Sequence, residues 1–148
     1  MTTIAFDGLT LAGDRQSTYG NTPVRTRPKV HRVTASDGRR FLVGVAGLAA
    51  DARAYIQWLR GEITERPPFV DLSAMLIDDA RRIWLYNDKS HGYEQVHARQ
   101  WAIGSGCDYA LGAMAAGADA VSAVKIASRL DVGTGMGVTS LVLTSKGR

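Results

Sequence analysis

Removal of Met1 would leave Thr2 carrying both a hydroxyl and a free α-amine. An α-amine has an unperturbed pKa of about 8, so it can accept the hydroxyl proton near neutral pH, directly or through a water. Such a nucleophile contains its own general base and needs no histidine. The small side chain at position two suits excision of the methionine. Taken alone, Thr2-Thr3 reads more simply as the β-branched start of a strand, so other residues have to decide between the two readings.

The remaining reactive side chains form weaker patterns. His31, His91 and His97 show neither helical nor zinc-ligand spacing and read as solvated or structural. Cys107 follows Gly104-Ser105-Gly106 at a helix start, a position that can lower a thiol pKa. It lacks an identifiable histidine partner and reads better as a small buried hydrophobe. Gly104-Ser105-Gly106 is not a phosphate-binding loop, because no Gly-Lys-Ser/Thr follows it. Trp58, Trp84 and Trp101 read as core or interface anchors.

The elements that must position these groups follow from periodicity and breakers. Residues 2–6 form a β-prone run, Asp7-Gly8 is a hairpin signal, and 9–15 is a second strand. Residues 17–28 read as a loop broken by Gly20-Asn21 and Pro23. Strands are expected over 30–34 and 41–46, with Asp37-Gly38 turning between them. Gly47 opens a helix whose apolar positions are Leu48, Ala52, Tyr55, Ile56 and Leu59, ended by Gly61 and Pro67-Pro68. A hairpin over 74–78 and 83–87 and a strand over 101–104 come next. Two Ala-rich helices over 107–116 and 118–130 and a strand over 139–144 close the chain. Grouped hairpins and grouped helices predict an α+β layered fold rather than a βαβ wind. There is no internal repeat, linker or low-complexity run, so residues 1–148 read as a single domain.

At 148 residues the chain can form a core without disulfides, and one cysteine excludes a disulfide framework and fits a reducing compartment. No basic-then-apolar leader and no membrane-length apolar run is seen, so a soluble cytoplasmic protein is expected. The formal charge is +4, but the basic residues are scattered. The one cluster, Arg25, Arg27, Lys29, His31 and Arg32, has no interleaved aromatic platform, which argues against a nucleic-acid partner.

The order of motifs adds what no single one provides. Thr2-Thr3-Ile4, Gly13-Asp14, Gly20-Asn21-Thr22, Lys29-Val30, Ala46-Gly47 with Asp51, Ile103-Gly104-Ser105-Gly106, and Asp131 with Thr134-Gly135 resemble the proteasome β-subunit and HslV-like N-terminal-nucleophile threonine peptidases. The resemblance covers nearly the whole chain in the family's order. It implies a four-layer αββα sandwich, the N-terminal-nucleophile hydrolase fold, with the first helical layer shortened because residues 61–73 are too short and proline-interrupted for a second helix.

The resemblance also implies roles. Thr2 is the nucleophile and Lys29 the ammonium that favours its deprotonation, an arrangement that stabilises developing negative charge. Asp14 holds Lys29, and Gly47 offers a backbone N–H to an oxyanion hole. Ser105, which also reads as an ordinary helix N-cap, joins Asp131 around the Thr2 amine, and Thr134 belongs to the same late catalytic element. The chemistry requires no cofactor. A Na+ or other monovalent cation is implied at main-chain oxygens of Ser128, Asp131 and Thr134, where the residues alone read as a Gly-rich turn.

The expected activity is endopeptidase cleavage of unfolded polypeptides inside a homo-oligomeric ring, with stacked rings and an AAA+ unfoldase as the family's further partners. The missing second helix bears on ring geometry. The last strand is followed only by Ser145-Lys146-Gly147-Arg148, so an ATPase partner is expected to dock differently or to be absent. Two alternatives stay open: a stand-alone amidohydrolase acting on small amides, and a catalytically silent ring-forming subunit that retains Met1.

Overall fold

A computed structural model describes residues 1–144. The four strands β1 (Thr3–Phe6), β2 (Thr10–Asp14), β10 (Trp101–Gly104) and β11 (Val138–Val142) form one antiparallel sheet in the order β10-β1-β2-β11. Five more, β5 (Val30–Thr34), β6 (Arg40–Gly47), β7 (Leu72–Ile77), β8 (Ile83–Asn87) and β9 (Glu94–Val96), form a second antiparallel sheet in chain order. Helix α1 (Ala49–Leu59) packs on the outer face of the second sheet, and α2 (Cys107–Ala115) and α3 (Ala120–Leu130) pack on that of the first.

Three apolar clusters fill the three gaps between layers. Ile4, Phe6, Leu11, Leu42, Met75 and Ile77 lie between the sheets. Ala5, Ala12, Ala110, Ala123 and Val124 join the first sheet to α2 and α3. Val43, Val45, Tyr55, Leu72 and Tyr86 join the second sheet to α1. Alternate residues of β1 and β6 thus serve different gaps, as a period of two requires. The layers are αββα with one helix on one side, as the resemblance implies.

That single helix leaves part of the five-stranded sheet to be covered by other means. Tyr55, Trp58, Phe69, Tyr86 and Tyr93 pack edge-to-face, tilted or stacked with centroids 4.9–6.2 Å apart. The Arg66 guanidinium stacks over Phe69 and Tyr86 and donates to the Tyr86 hydroxyl at 2.5 Å. The 60–71 segment carries no helix. Its backbone is tied to α1 by Asp51, which accepts the N–H groups of Val70 (2.7 Å) and Asp71 (2.8 Å).

Asp7 makes the first reversal, as its Asp-Gly sequence predicts: Oδ1 accepts the N–H groups of Leu9 and Thr10, and Gly8 takes φ +101°. The other oxygen of Asp7 accepts the Ala120 N–H at 2.8 Å and docks the start of α3 onto the sheet. Four expectations are corrected. The 17–28 segment is not a loop but a hairpin, β3 (Gln16–Tyr19) with β4 (Thr22–Arg25), turning at Gly20-Asn21. Its β4 side chains are all exposed, so no apolar alternation marks it. Helix α3 begins after Asp119, whose carboxylate caps it by accepting the Ser122 N–H at 2.8 Å. Gly106, not Ser105, is the N-cap of α2. The last strand ends at Val142, and the tail 145–148 lies outside the described residues. No helix among the described residues is long and apolar enough to cross a membrane.

The sheets meet closely at one point. A Cβ on Gly44 of β6 would lie 2.5 Å from Ile4 Cγ2, so Ile4 occupies the notch that the glycine leaves. This contact seats β1, and therefore Thr2, over the strand that pairs with β5. Gly44→Ala is expected to lower stability by about 1–3 kcal/mol through overpacking, measured by urea unfolding. The penalty should shrink in an Ile4→Ala background, where the clashing methyl is gone. Equal penalties in both backgrounds would show that the two sites are not in contact.

Candidate active site

Thr2 precedes β1 and is nearly buried, at 3% exposure. Its hydroxyl oxygen lies 2.6 Å from Lys29 Nζ and donates to the Met1 carbonyl at 2.5 Å. Lys29 stands just before β5, and its carbonyl accepts the Val45 N–H at 3.0 Å, which continues the β5–β6 ladder to the base of the side chain. The ammonium donates to Asp14 Oδ1 (3.0 Å) and to the Gln16 carbonyl (2.5 Å), and approaches the Met1 carbonyl at 3.5 Å. With Thr2 this gives three short contacts for three N–H groups.

The Lys29–Asp14 pair is no surface ion pair: the two side chains are 11% and 0% exposed. Burial pushes the Lys29 ammonium below the ordinary lysine range, and the adjacent Asp14 carboxylate opposes that drop without cancelling it. Besides Lys29, Asp14 accepts the N–H groups of Thr3 (3.1 Å), Gln16 (3.2 Å) and Gly135 (3.1 Å).

On the other side of Thr2 its backbone nitrogen donates to Ser105 Oγ at 3.1 Å. This nitrogen is a peptide N–H here and stands where the α-amine would be after Met1 is lost. Ser105 Oγ donates to Asp131 Oδ2 at 2.6 Å, and Thr134 Oγ1 donates to the same oxygen at 2.6 Å. Burial works to raise the Asp131 carboxyl, but the Ser105 and Thr134 hydroxyls and the Gly133 N–H outweigh it and hold the group below the usual carboxylate range. Two glycines let the 104–106 segment come this close. A Cβ at Gly104 would strike the Thr2 carbonyl, and one at Gly106 would strike Thr3 Oγ1.

Six of the residues singled out in the sequence therefore meet in one hydrogen-bonded network: Thr2, Asp14, Lys29, Ser105, Asp131 and Thr134. Gly47 has no hydrogen bond to it. It ends β6 two residues beyond the Val45–Lys29 contact, with φ +112°, and a Cβ there would run into the Asp71 carbonyl. Its lack of a side chain is required by that packing, whatever else its N–H does. Ser128 is exposed, and its hydroxyl turns back to the Lys125 carbonyl of its own helix at 2.6 Å. Cys107 donates to Asp108, and burial with that carboxylate beside it pushes the thiol up. Among the described residues no cluster of His, Cys, Asp or Glu is arranged to hold a metal ion.

Two participants escaped the sequence reading. Thr3 is fully buried, and its hydroxyl pairs with that of Thr134 at 2.7 Å. The one available signal was a polar residue in a four-residue strand that is buried throughout. The Gln16 carbonyl is a main-chain acceptor and leaves no trace in residue type.

A family model described as proteasome subunit matches residues 2–66. None of the curated protein sequences matches the chain. Among solved structures, Thiobacillus denitrificans BPH is 19% identical, with 99% of each chain covered and a TM-score of 0.73. A eukaryotic HslV from Trypanosoma brucei is 22% identical, covering 95% of this chain and 98% of its own, with a TM-score of 0.66. An Anbu (Gly-1) mutant from Hyphomicrobium sp. strain MC1 is 12% identical over 96% of this chain and 81% of its own, with a TM-score of 0.70. At these identities the likeness is one of fold, and the match over residues 2–66 adds the likeness of sequence. The chain is thus similar to proteasome subunits in sequence over residues 2–66, and to BPH, HslV and Anbu in fold over nearly its whole length.

Proposed function

We propose that this chain, once Met1 is removed, is a threonine endopeptidase whose Thr2 hydroxyl attacks a peptide carbonyl. The observation that carries the reading is the placement of Thr2 Oγ1 2.6 Å from a buried Lys29 ammonium that is itself 3.0 Å from Asp14. The free α-amine of Thr2 takes the hydroxyl proton, and Oγ bonds to the carbonyl carbon. The resulting oxyanion faces the Gly47 N–H, while Lys29 stabilises the negative charge that develops on Oγ. The α-ammonium returns its proton to the leaving amine as the peptide C–N bond breaks. Water, activated by the same amine, then hydrolyses the Thr2 ester. Ser105, Asp131 and Thr134 orient the amine.

A monovalent cation fits the same reading. The Ser128 carbonyl falls in the last turn of α3, where helix carbonyls lack intrahelical partners and the helix dipole favours positive charge. With main-chain oxygens of Asp131 and Thr134 it would hold Na+, whose charge would steady the turn. A homo-oligomeric ring that confines the Thr2 sites, served by an AAA+ unfoldase, completes the proposal. An unconfined threonine of this kind would cleave any unfolded chain it met, and cyclic closure is what a heterologous interface needs to avoid polymerising.

Intact mass of active protein is expected to be lower by one methionine, and acetylation of the Thr2 amine should abolish peptide turnover. The same Met-less protein should sediment as a closed oligomer, several-fold heavier than the 15.9 kDa chain. Full turnover with Met1 retained would refute the self-based nucleophile. A monomer active on small amides alone would favour the stand-alone amidohydrolase.

Lys29→Ala should still fold, though with lower stability because it leaves Asp14 buried without its cation. The folded protein should lose about two to three orders of magnitude in kcat, the size of effect seen when one preorganised stabilising donor is removed. Lys29→Arg should fail comparably, since a planar guanidinium cannot occupy the ammonium's position. In the wild type, kcat/KM should rise with pH as the amine loses its proton, near pH 8 if unperturbed. It should fall again as Lys29 is neutralised, at a pH below the ordinary lysine value because burial lowers it. Near-normal turnover of Lys29→Ala would reduce Lys29 to an ion-pair residue.

A further inference from the structure

Thr2 is held between two sets of groups from distant parts of the chain. Lys29, itself held by Asp14, meets its hydroxyl, and Ser105, held through Asp131 together with Thr134, meets its nitrogen. The second set rests on the 131–135 turn, where Thr134 N–H reaches the Asp131 carbonyl at 3.1 Å and Gly133 N–H reaches Asp131 Oδ1 at 3.3 Å. The position of this turn relative to β2 and β3 therefore sets the distance between the two halves.

Gln16, 7% exposed at the start of β3, touches both. Its N–H bonds to Asp14 Oδ2 and its carbonyl receives Lys29 Nζ. Its side-chain Nε2 crosses to the Val132 carbonyl at 2.8 Å, with a longer contact to Thr18 Oγ1 at 3.4 Å. The amide oxygen lies against Gly135, where an added Cβ would stand 2.7 Å from it. The turn thus rests directly on the Gln16 amide.

We propose that Gln16 is a positioning residue that couples the hydroxyl-activating and amine-orienting halves of the Thr2 site by fixing the 131–135 turn. This rests on the peptidase reading for its consequence in turnover, but not for its geometry. The charged groups around the Thr2 nitrogen are Lys29 before β5, Asp14 at the end of β2 and Asp131 after α3; the first turn of α2 adds Asp108, engaged by Cys107. Only Asp131 reaches the nitrogen through a single hydroxyl, and that hydroxyl accepts from it. This arrangement favours the protonated amine, so loosening the turn lowers the amine pKa.

The test uses Met-less wild type, Gln16→Met and Gln16→Glu. The methionine keeps the length and removes the donor; the glutamate sets a carboxylate against the Val132 carbonyl. In each protein the pH midpoint for acetylation of the Thr2 amine by trace acetic anhydride is read by peptide mass, beside kcat and KM on a peptide. For folded Gln16→Met the midpoint should fall by about half a pH unit or more. Its kcat should drop about tenfold or more with KM within about twofold, as expected for misplacement rather than lost binding. Gln16→Glu should lose more kcat, and if it does not fold, Gln16→Met alone decides. A folded Gln16→Met with wild-type midpoint and kcat overturns the proposal. If no form turns over peptide, the peptidase reading fails, and the acetylation midpoint still judges the coupling.

Discussion

Four donors from four separate segments converge on the buried Asp14 carboxylate: the N–H groups of Thr3, Gln16 and Gly135 and the Lys29 ammonium. A carboxylate with no exposure is sustained only by such saturation, because an uncompensated buried charge costs several kcal/mol. Breaking a buried pair by removing one partner costs about 3–5 kcal/mol, a large part of the 5–15 kcal/mol that holds a typical domain folded. The strand that carries Thr2, the loop that carries Lys29 and the turn that carries Thr134 are thus bound to one another through a single side chain. The groups assigned to the proposed chemistry are placed by an interaction on which the fold itself depends.

Close backbone approach complements that charge. Ile4 sits in the notch of Gly44, the 104–106 segment presses on Thr2 and Thr3 through Gly104 and Gly106, and the Met1 side chain lies over Gly133. At each place a Cβ would force displacement, and each displacement would fall on Thr2 or its neighbours. Packed interiors yield little to such strain. Thr2, the Lys29 ammonium and the Ser105 and Thr134 hydroxyls are therefore held by packing as well as by hydrogen bonds, and the proposed chemistry depends on freeing the nitrogen of Thr2.

Much of the framework was legible from the chain because apolar periodicity and turn residues agree with it. The Asp7-Gly8 reversal, the buried run of β6 and the Ala-rich face of α3 all follow from local sequence. The β3–β4 hairpin did not, since exposed strands carry no alternation, and β9 is a three-residue edge. For the site, spacing could not reveal that residues 103 positions apart, such as Thr2 and Ser105, share a hydrogen bond; the order of family motifs suggested it. Ser105 looked like a cap because serine before a helix usually is one, but Asp131 and the Thr2 backbone claim its hydroxyl instead. Thr3 was hidden by its own good β-propensity, and Gln16 by acting partly through its carbonyl. The family resemblance points to the Gly47 N–H, yet the clearest constraint on this glycine is the Asp71 carbonyl packed against it.

The central claim is that Thr2 Oγ forms the covalent bond with substrate and that its own amine makes it reactive. It is tested most directly by acid-quenching Met-less protein during turnover of a slowly deacylating peptide ester and mapping the acyl group by mass spectrometry. The acyl group should be found on Thr2 as a hydroxyl ester, and be absent from protein that retains Met1. Turnover that leaves Thr2 unmodified, or an acyl group on Ser105 or Cys107, would contradict it.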